Sequence, residues 1–114
     1  CTHPDRSVPI EDCLLPDAGA IAAMIAAATD TSPIFMGKPM PQGMALIEQQ
    51  TGLRADQMCM VGDRLYTDIA CAKNADINGI FVLSGEGTLE DIKRYNVKPD
   101  YIYKDIKSLM KDLV

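Results

Sequence analysis

The chain has 114 residues, of which 47% are apolar and 24% charged, and its formal net charge is −5. That length holds one modest domain and not two; the apolar content excludes a disordered chain, and an acidic balance with no basic stripe argues against a nucleic-acid partner. No apolar run approaches the ~20 residues that cross a bilayer, the longest being Ala18 to Ala28, mostly alanine, interrupted by Gly19 and preceded by no basic leader, so no membrane partner is expected.

In chain order, residues 1–17 carry Pro4, Pro9 and Pro16 and little periodicity, which reads as a connector without a packed element. The chain opens with Cys1, and Thr2-His3-Pro4-Asp5 reads like a loop entered midway, so a fragment or a processed chain is expected. From Ala18 to Thr29 the spacing of Ile21, Met24 and Ile25 predicts a helix with a buried face, and Asp17 is placed to cap it. Pro33-Ile34-Phe35-Met36-Gly37 reads as a strand tip. A helix opened by Pro41 then carries Met44, Leu46 and Ile47 toward a stop at Gly52.

Met58 to Val61 is a candidate buried strand ending at Gly62-Asp63, followed by a helix from about Thr67 to Asn74. Ile80 to Leu83, bounded by Gly79 and Gly85, is the clearest strand. Thr88 and Asp91 have capping-box spacing and open a helix toward Tyr95. Tyr101 to Tyr103 is a short strand, and Ile106, Leu109, Met110 and Leu113 line a final amphipathic helix.

Apolar strands alternating with helices predict an α/β fold with a parallel sheet. In open sheets of that kind ligands bind beyond the C-terminal strand ends, and Gly37-Lys38 and Gly62-Asp63 are both placed there. The four cysteines, Cys1, Cys13, Cys59 and Cys71, show no C-x-x-C spacing, so neither a zinc site nor a redox pair is suggested and a reducing cytoplasm is expected.

Two places carry chemistry. In Gly62-Asp63-Arg64-Leu65-Tyr66-Thr67-Asp68 an apolar strand delivers Asp63 to the sheet edge, and Asp68 follows near the start of the next helix. Two carboxylates on one loop suit Mg²⁺, which takes oxygen ligands and keeps several waters. The competing reading makes Asp68 a helix cap with Thr67, and Asp63 a turn residue. Lys38, between Gly37 and Pro39, is held by a stiff backbone that can aim its ammonium at a phosphate or at clustered carboxylates. Standing alone it would read as a surface lysine.

Taken together, Gly37-Lys38-Pro39, then Gly62-Asp63-Arg64-Leu65-Tyr66-Thr67-Asp68-Ile69, then Leu83-Ser84-Gly85 with Thr88, resemble the haloacid dehalogenase (HAD) superfamily. The likeness is greatest to its p-nitrophenylphosphatase-like group, in which a large cap is inserted into the core. Thr2-His3-Pro4-Asp5 is similar to that group's segment leading out of the cap. The resemblance spans nearly the whole chain and implies the C-terminal part of a partial HAD-type Rossmann-like core, with residues 1–17 a connector at the cap exit and 18–114 core.

It also implies a mechanism. In that family an aspartate on the first core strand attacks phosphorus to form an aspartyl-phosphate. A second aspartate two residues on protonates the leaving group, and Mg²⁺ shields the phosphate charge. By this likeness Asp63 would be a metal ligand, Asp68 would support it from behind by orienting waters or Lys38, and Lys38 would fix the nucleophile and the phosphoryl group. The partner implied is a small phosphorylated metabolite.

One departure stands out. The family's D-x-D nucleophile and its phosphate-binding Ser/Thr loop have no counterpart here, since Asp5, Asp12 and Asp17 lack both a preceding apolar strand and an aspartate two residues away. His3 is given no catalytic role. The chain alone is therefore expected to be inactive, and to pair with a missing N-terminal core and cap or to self-associate as a homo-oligomer. The alternative is a non-catalytic α/β module for binding or oligomerisation. A phospho-accepting receiver domain fits less well, because Asp63 lies on a later segment and no acidic pair follows a first strand.

Overall fold

The computed structural model describes residues 3–113, so Cys1 and Thr2, which the sequence reading places at the cap exit, lie outside the described residues. It divides into two compact units, one ending at Gly37 and the other beginning at Lys38. Length alone argued for one modest domain. Residues up to Gly37 close on contacts of their own, through the hairpin and helix described next.

In the first unit, β1 (Ser7–Ile10) and β2 (Cys13–Pro16) form an antiparallel hairpin, with Val8 opposite Leu15 and Pro9 opposite Leu14. This corrects the expectation of a connector without regular structure. The strands are four residues each, carry Pro9 and Pro16, and turn at Glu11, whose φ of 51° gives no glycine or asparagine signal in the sequence. Pairing and not periodicity makes them strands.

Helix α1 (Ala18–Thr29) follows, capped as expected by Asp17, whose Oδ1 accepts from the Ala18 amide at 2.7 Å. Gly19 is buried against the Pro4 and Asp5 carbonyls and donates to the Asp5 oxygen at 2.8 Å, and a Cβ there would overlap the Pro4 backbone. The expected buried face does not form. Ile21, Met24 and Ile25 are all about half exposed or more. Pro33 to Gly37 is likewise not a strand: no described strand pairs with it, and a strand exists only through its ladder.

The second unit has the expected α/β order. The Lys38–Pro39 peptide is cis. After it come α2 (Gln42–Thr51), a 3-10 turn (Ala55–Gln57), β3 (Cys59–Gly62), a π-helical turn (Leu65–Ile69), α3 (Ala70–Asn74), β4 (Asn78–Val82), α4 (Leu89–Tyr95), β5 (Tyr101–Tyr103) and α5 (Ile106–Asp112). Gly52 ends α2 in the left-handed region at φ 71°, donating to the Glu48 oxygen at 2.9 Å. At the start of α4, Asp91 Oδ2 accepts from the Thr88 amide and hydroxyl at 2.9 and 2.8 Å, the expected box.

The sheet is parallel with order β3-β4-β5, Val61 opposite Ile80 and Phe81 opposite Ile102. Its core is Leu65, Ile69 and Phe81, all at 0–1% exposure, with Leu83, Ile92 and Val97 packed around them. Gly79 lies under the π-helical turn and α3: a Cβ there would stand 3.1 Å from Ile69 Cγ2 and 3.2 Å from Ala72 Cβ. Two apolar stripes are less buried than expected. On α5 only Leu109 is buried, while Ile106, Met110 and the C-cap residue Leu113 are exposed, and on α2 Leu46 and Ile47 are exposed. Cys59, within the candidate buried strand Met58 to Val61, is exposed because β3 is an edge of this sheet. No helix among the described residues is long and apolar enough to cross a membrane.

Asp100 clamps the start of β5. Its carboxylate accepts from Lys73 Nζ at 2.6 Å and from the Gly79 amide at 2.7 Å, and its own amide donates to the Gly79 oxygen at 2.9 Å. The lysine first, then the amide, hold this carboxyl below the usual carboxylate range.

Two predictions follow from this packing. Gly79→Val should destabilise the protein by about 1–3 kcal/mol through overpacking, read as a lower urea midpoint, and an unchanged midpoint would show that Ile69 and Ala72 can retreat. Asp100 titrates below its unfolded value of about 3.9, so its contribution is present above that value and is lost as pH falls through the folded one. Urea midpoints measured from pH 3 to 7 should therefore show a flatter acid limb and lower neutral stability for Asp100→Asn; an identical pH slope in both proteins would refute the clamp.

Candidate active site

The C-terminal ends of β3 and β4 each feed a tight loop, and the chemistry-bearing residues gather there. After β3, Arg64 precedes a turn wider than an α-helix: its carbonyl accepts from the Asp68 amide at 3.0 Å and from the Ile69 amide at 3.2 Å. Such π-turns are short and recur at functional sites. This turn folds Asp68 back so that its Oδ2 accepts from the Arg64 amide at 3.1 Å. The helix thus begins at Leu65, two residues before the expected Thr67, and Thr67 is buried in the turn.

Lys38 Nζ donates to the other oxygen of the same carboxylate, Asp68 Oδ1. The Asp68 side chain is 7% exposed and that of Lys38 51% exposed. A buried charge tolerates that position only when paired and hydrogen bonded, and here both oxygens are occupied. The arrangement directs the lysine stem back toward the β3 end, leaving half of its surface open. Gly62 makes the approach possible, since a Cβ there would overlap the Asp68 side chain.

Asp63 is held differently. Its Oδ2 accepts from the Glu86 amide at 2.8 Å and its carbonyl from the Gly87 amide at 3.0 Å. Both donors lie on the loop after β4. Among the described residues no hydrogen bond or ion pair joins Asp63 to Lys38 or Asp68, so of the three residues singled out in the sequence, two are in contact and the third is anchored on the neighbouring loop. Asp63 is half-buried, with one side-chain oxygen engaged.

Sequence reasoning assigned no role to Glu86 or Arg64. The Arg64 guanidinium pairs with Glu86 at 2.7 Å, and Tyr66 Oη lies 3.4 Å from the same carboxylate. Burial works against the Arg64 charge, but Glu86, Tyr66 and Asp63 together outweigh it and raise the pKa. This bond crosses 22 residues between two loops; the glycines flanking Glu86 were the only local hint. Behind the site, Cys71 Sγ contacts the Met40 oxygen, and burial pushes its thiol up while Lys38 pulls it down. It is free, as are Cys13 and Cys59.

The HAD-hydrolase-like family profile matches residues 35–109. An acid sugar phosphatase of Staphylococcus aureus (strain USA300) is 40% identical over 112 residues, covering 98% of this chain and 43% of that protein. Among solved structures, 4-nitrophenylphosphatase from Thermotoga maritima aligns with a TM-score of 0.84 at 44% identity, over 96% of this chain and 42% of the other. Glycerol phosphate phosphatase from Mycobacterium tuberculosis, solved in complex with magnesium, aligns with a TM-score of 0.81 at 34% identity, over 94% and 33%. The chain spans less than half the length of each of these, a share that fits the C-terminal part expected from the sequence. The match over residues 35–109 takes in Lys38, Asp63, Asp68 and the loop at Glu86, and the chain belongs to the HAD-hydrolase-like family.

Proposed function

We propose that this chain is the C-terminal core segment of a Mg²⁺-dependent phosphatase that hydrolyses small phosphomonoesters through an aspartyl-phosphate. The observation that carries the reading is the buried Asp68 carboxylate, which aims Lys38 at the strand ends where Asp63 is also anchored. The relatives named above are phosphatases, and sugar phosphates or glycerol phosphate are the substrate class they suggest.

The donor chemistry fits Mg²⁺ in part. Mg²⁺ is bound by one or two carboxylates together with waters and substrate phosphate. Asp63 offers an oxygen, whereas Asp68 has both of its oxygens committed to Lys38 and the Arg64 amide and would act from behind. Among the described residues no group of three acidic, histidine or cysteine side chains forms a complete set. The remaining ligands would come from the rest of the protein and from the phosphate. When bound, the ion offsets the negative charge that keeps an anionic nucleophile from phosphorus. Lys38 would hold the nucleophilic carboxylate and a phosphoryl oxygen, its position set by Asp68, and would add positive charge where the transition state gathers negative.

The sequence has no D-x-D pair, so the attacking aspartate and its acid-base partner would reside on a further segment with the cap. Residues 1–17, hairpin included, would be the connector from that cap, and 18–114 the core. The exposed β3 edge, with Val61 37% exposed, and the apolar side of α1 would be covered by that segment. The free thiols suit a reducing cytoplasm.

In the full-length protein, Asp63→Asn and Lys38→Ala should each lower hydrolysis of p-nitrophenyl phosphate by about 100-fold or more, the scale seen when one transition-state stabiliser is removed. Near-normal rates for both would sink the proposal. Lys38→Ala should also destabilise the fold by about 1–3 kcal/mol, because the buried Asp68 loses a charged partner; thermal melts would register it.

A further inference from the structure

The loop after β4 does more than close the chain. Its backbone and its lack of side chains both bear on Asp63. The Glu86 amide donates to Asp63 Oδ2 at 2.8 Å, the Gly87 amide to the Asp63 carbonyl at 3.0 Å, and the Arg64–Glu86 ion pair at 2.7 Å ties the same two loops together from the side chains. Gly85 faces the carboxylate so closely that a Cβ built on it would overlap Asp63 Oδ2, Cγ and Cβ. A Cβ on Gly87 would overlap the Asp63 carbonyl and stand 2.9 Å from the Phe81 ring. The absence of a side chain at 85 is therefore a condition for the rotamer that Asp63 adopts.

Among the described residues no hydrogen bond reaches Asp63 Oδ1. A carboxylate has two acceptor oxygens; with one committed to an amide, a cation arriving at the strand ends meets the other. Hydrogen bonds of this kind behind a ligand orient it, and their loss typically weakens metal binding about 10–100-fold. We propose that Gly85 and the Glu86 amide are positioning elements that select Oδ1 of Asp63 as the oxygen offered to a divalent cation. This rests on the reading of Asp63 as a metal ligand and extends it to the β4 loop, where the sequence singled out Gly85 only as a strand boundary and part of the family resemblance.

The test is direct Mn²⁺ binding to the full-length protein, followed by the EPR signal of the free ion, with melting temperatures recorded in parallel. Gly85→Ala should weaken Mn²⁺ binding about 10–100-fold. Gly79→Ala, which crowds Ile69 and Ala72 away from the carboxylate, should lower the melting temperature and leave Mn²⁺ affinity unchanged. If Gly85→Ala folds poorly, Glu86→Pro, which deletes the amide donor, is compared with Glu86→Ala, which keeps it, and only the proline variant should lose the affinity. Wild-type affinity in Gly85→Ala, or equal losses in the two Glu86 variants, would overturn the proposal. Asp63→Asn separates the two levels: if it binds Mn²⁺ like wild type, the metal reading itself has failed, whereas loss of binding in Asp63→Asn with none in Gly85→Ala removes only the positioning role.

Discussion

The carboxylate of Asp68 is 7% exposed and divides its two oxygens between the Arg64 amide and Lys38, and much of the second unit is arranged around it. Burying a charge without partners is costly in a low-dielectric interior, and breaking such a pair from one side is worse than never forming it. The π-helical turn brings the Asp68 side chain back over its own start, Gly62 leaves the space it enters, and Lys38 supplies the compensating charge from 30 residues away. Each of these features would be a defect without the others.

The two loops at these strand ends differ in how they are stiffened. The β3 loop is held by a charge buried within it. The β4 loop is held by backbone amides and by the exclusion of side chains at Gly85 and Gly87, with the exposed Arg64–Glu86 pair as a further tie. Exposed ion pairs contribute little by themselves, so rigidity here rests on steric exclusion and on hydrogen bonds to a charged oxygen, which are stronger than neutral ones. Parallel strands are the reason the loops meet: β3 and β4 run in the same direction, with Gly62 opposite Phe81, so their C-terminal exits lie side by side.

Apolar surface left uncovered is the other constraint. Ile21, Met24 and Ile25 on α1, Leu46 and Ile47 on α2 and the β3 edge are exposed, although their spacing is that of buried faces. A chain that spans 43% of its phosphatase relatives carries faces whose partners, in the reading proposed above, belong to the remainder. Pro33 to Gly37 likewise has strand composition without a strand, since composition makes a segment suitable for a ladder and a neighbour makes the ladder.

Elements whose signals are local were legible in the chain. Asp17 and Thr88–Asp91 mark helix starts through short-range hydrogen bonds, Gly52 marks a helix end, and the apolar runs at Met58–Val61 and Ile80–Leu83 mark parallel strands to within two residues. The sequence also marked Lys38, between Gly37 and Pro39, Asp63, after Gly62 at a strand end, and Asp68, near the start of the next helix, as the residues that carry chemistry. What those residues touch depends on the folded chain. That Lys38 meets Asp68, that Asp63 is bound by the Glu86 amide, and that Arg64 pairs with Glu86 are contacts across 30, 23 and 22 residues. No period or spacing encodes such contacts, because they depend on where two strands lie in one sheet. The hairpin at residues 7–16 and the exposure of α1 were hidden for a related reason: pairing and burial are properties of two surfaces, and a sequence window shows only one of them.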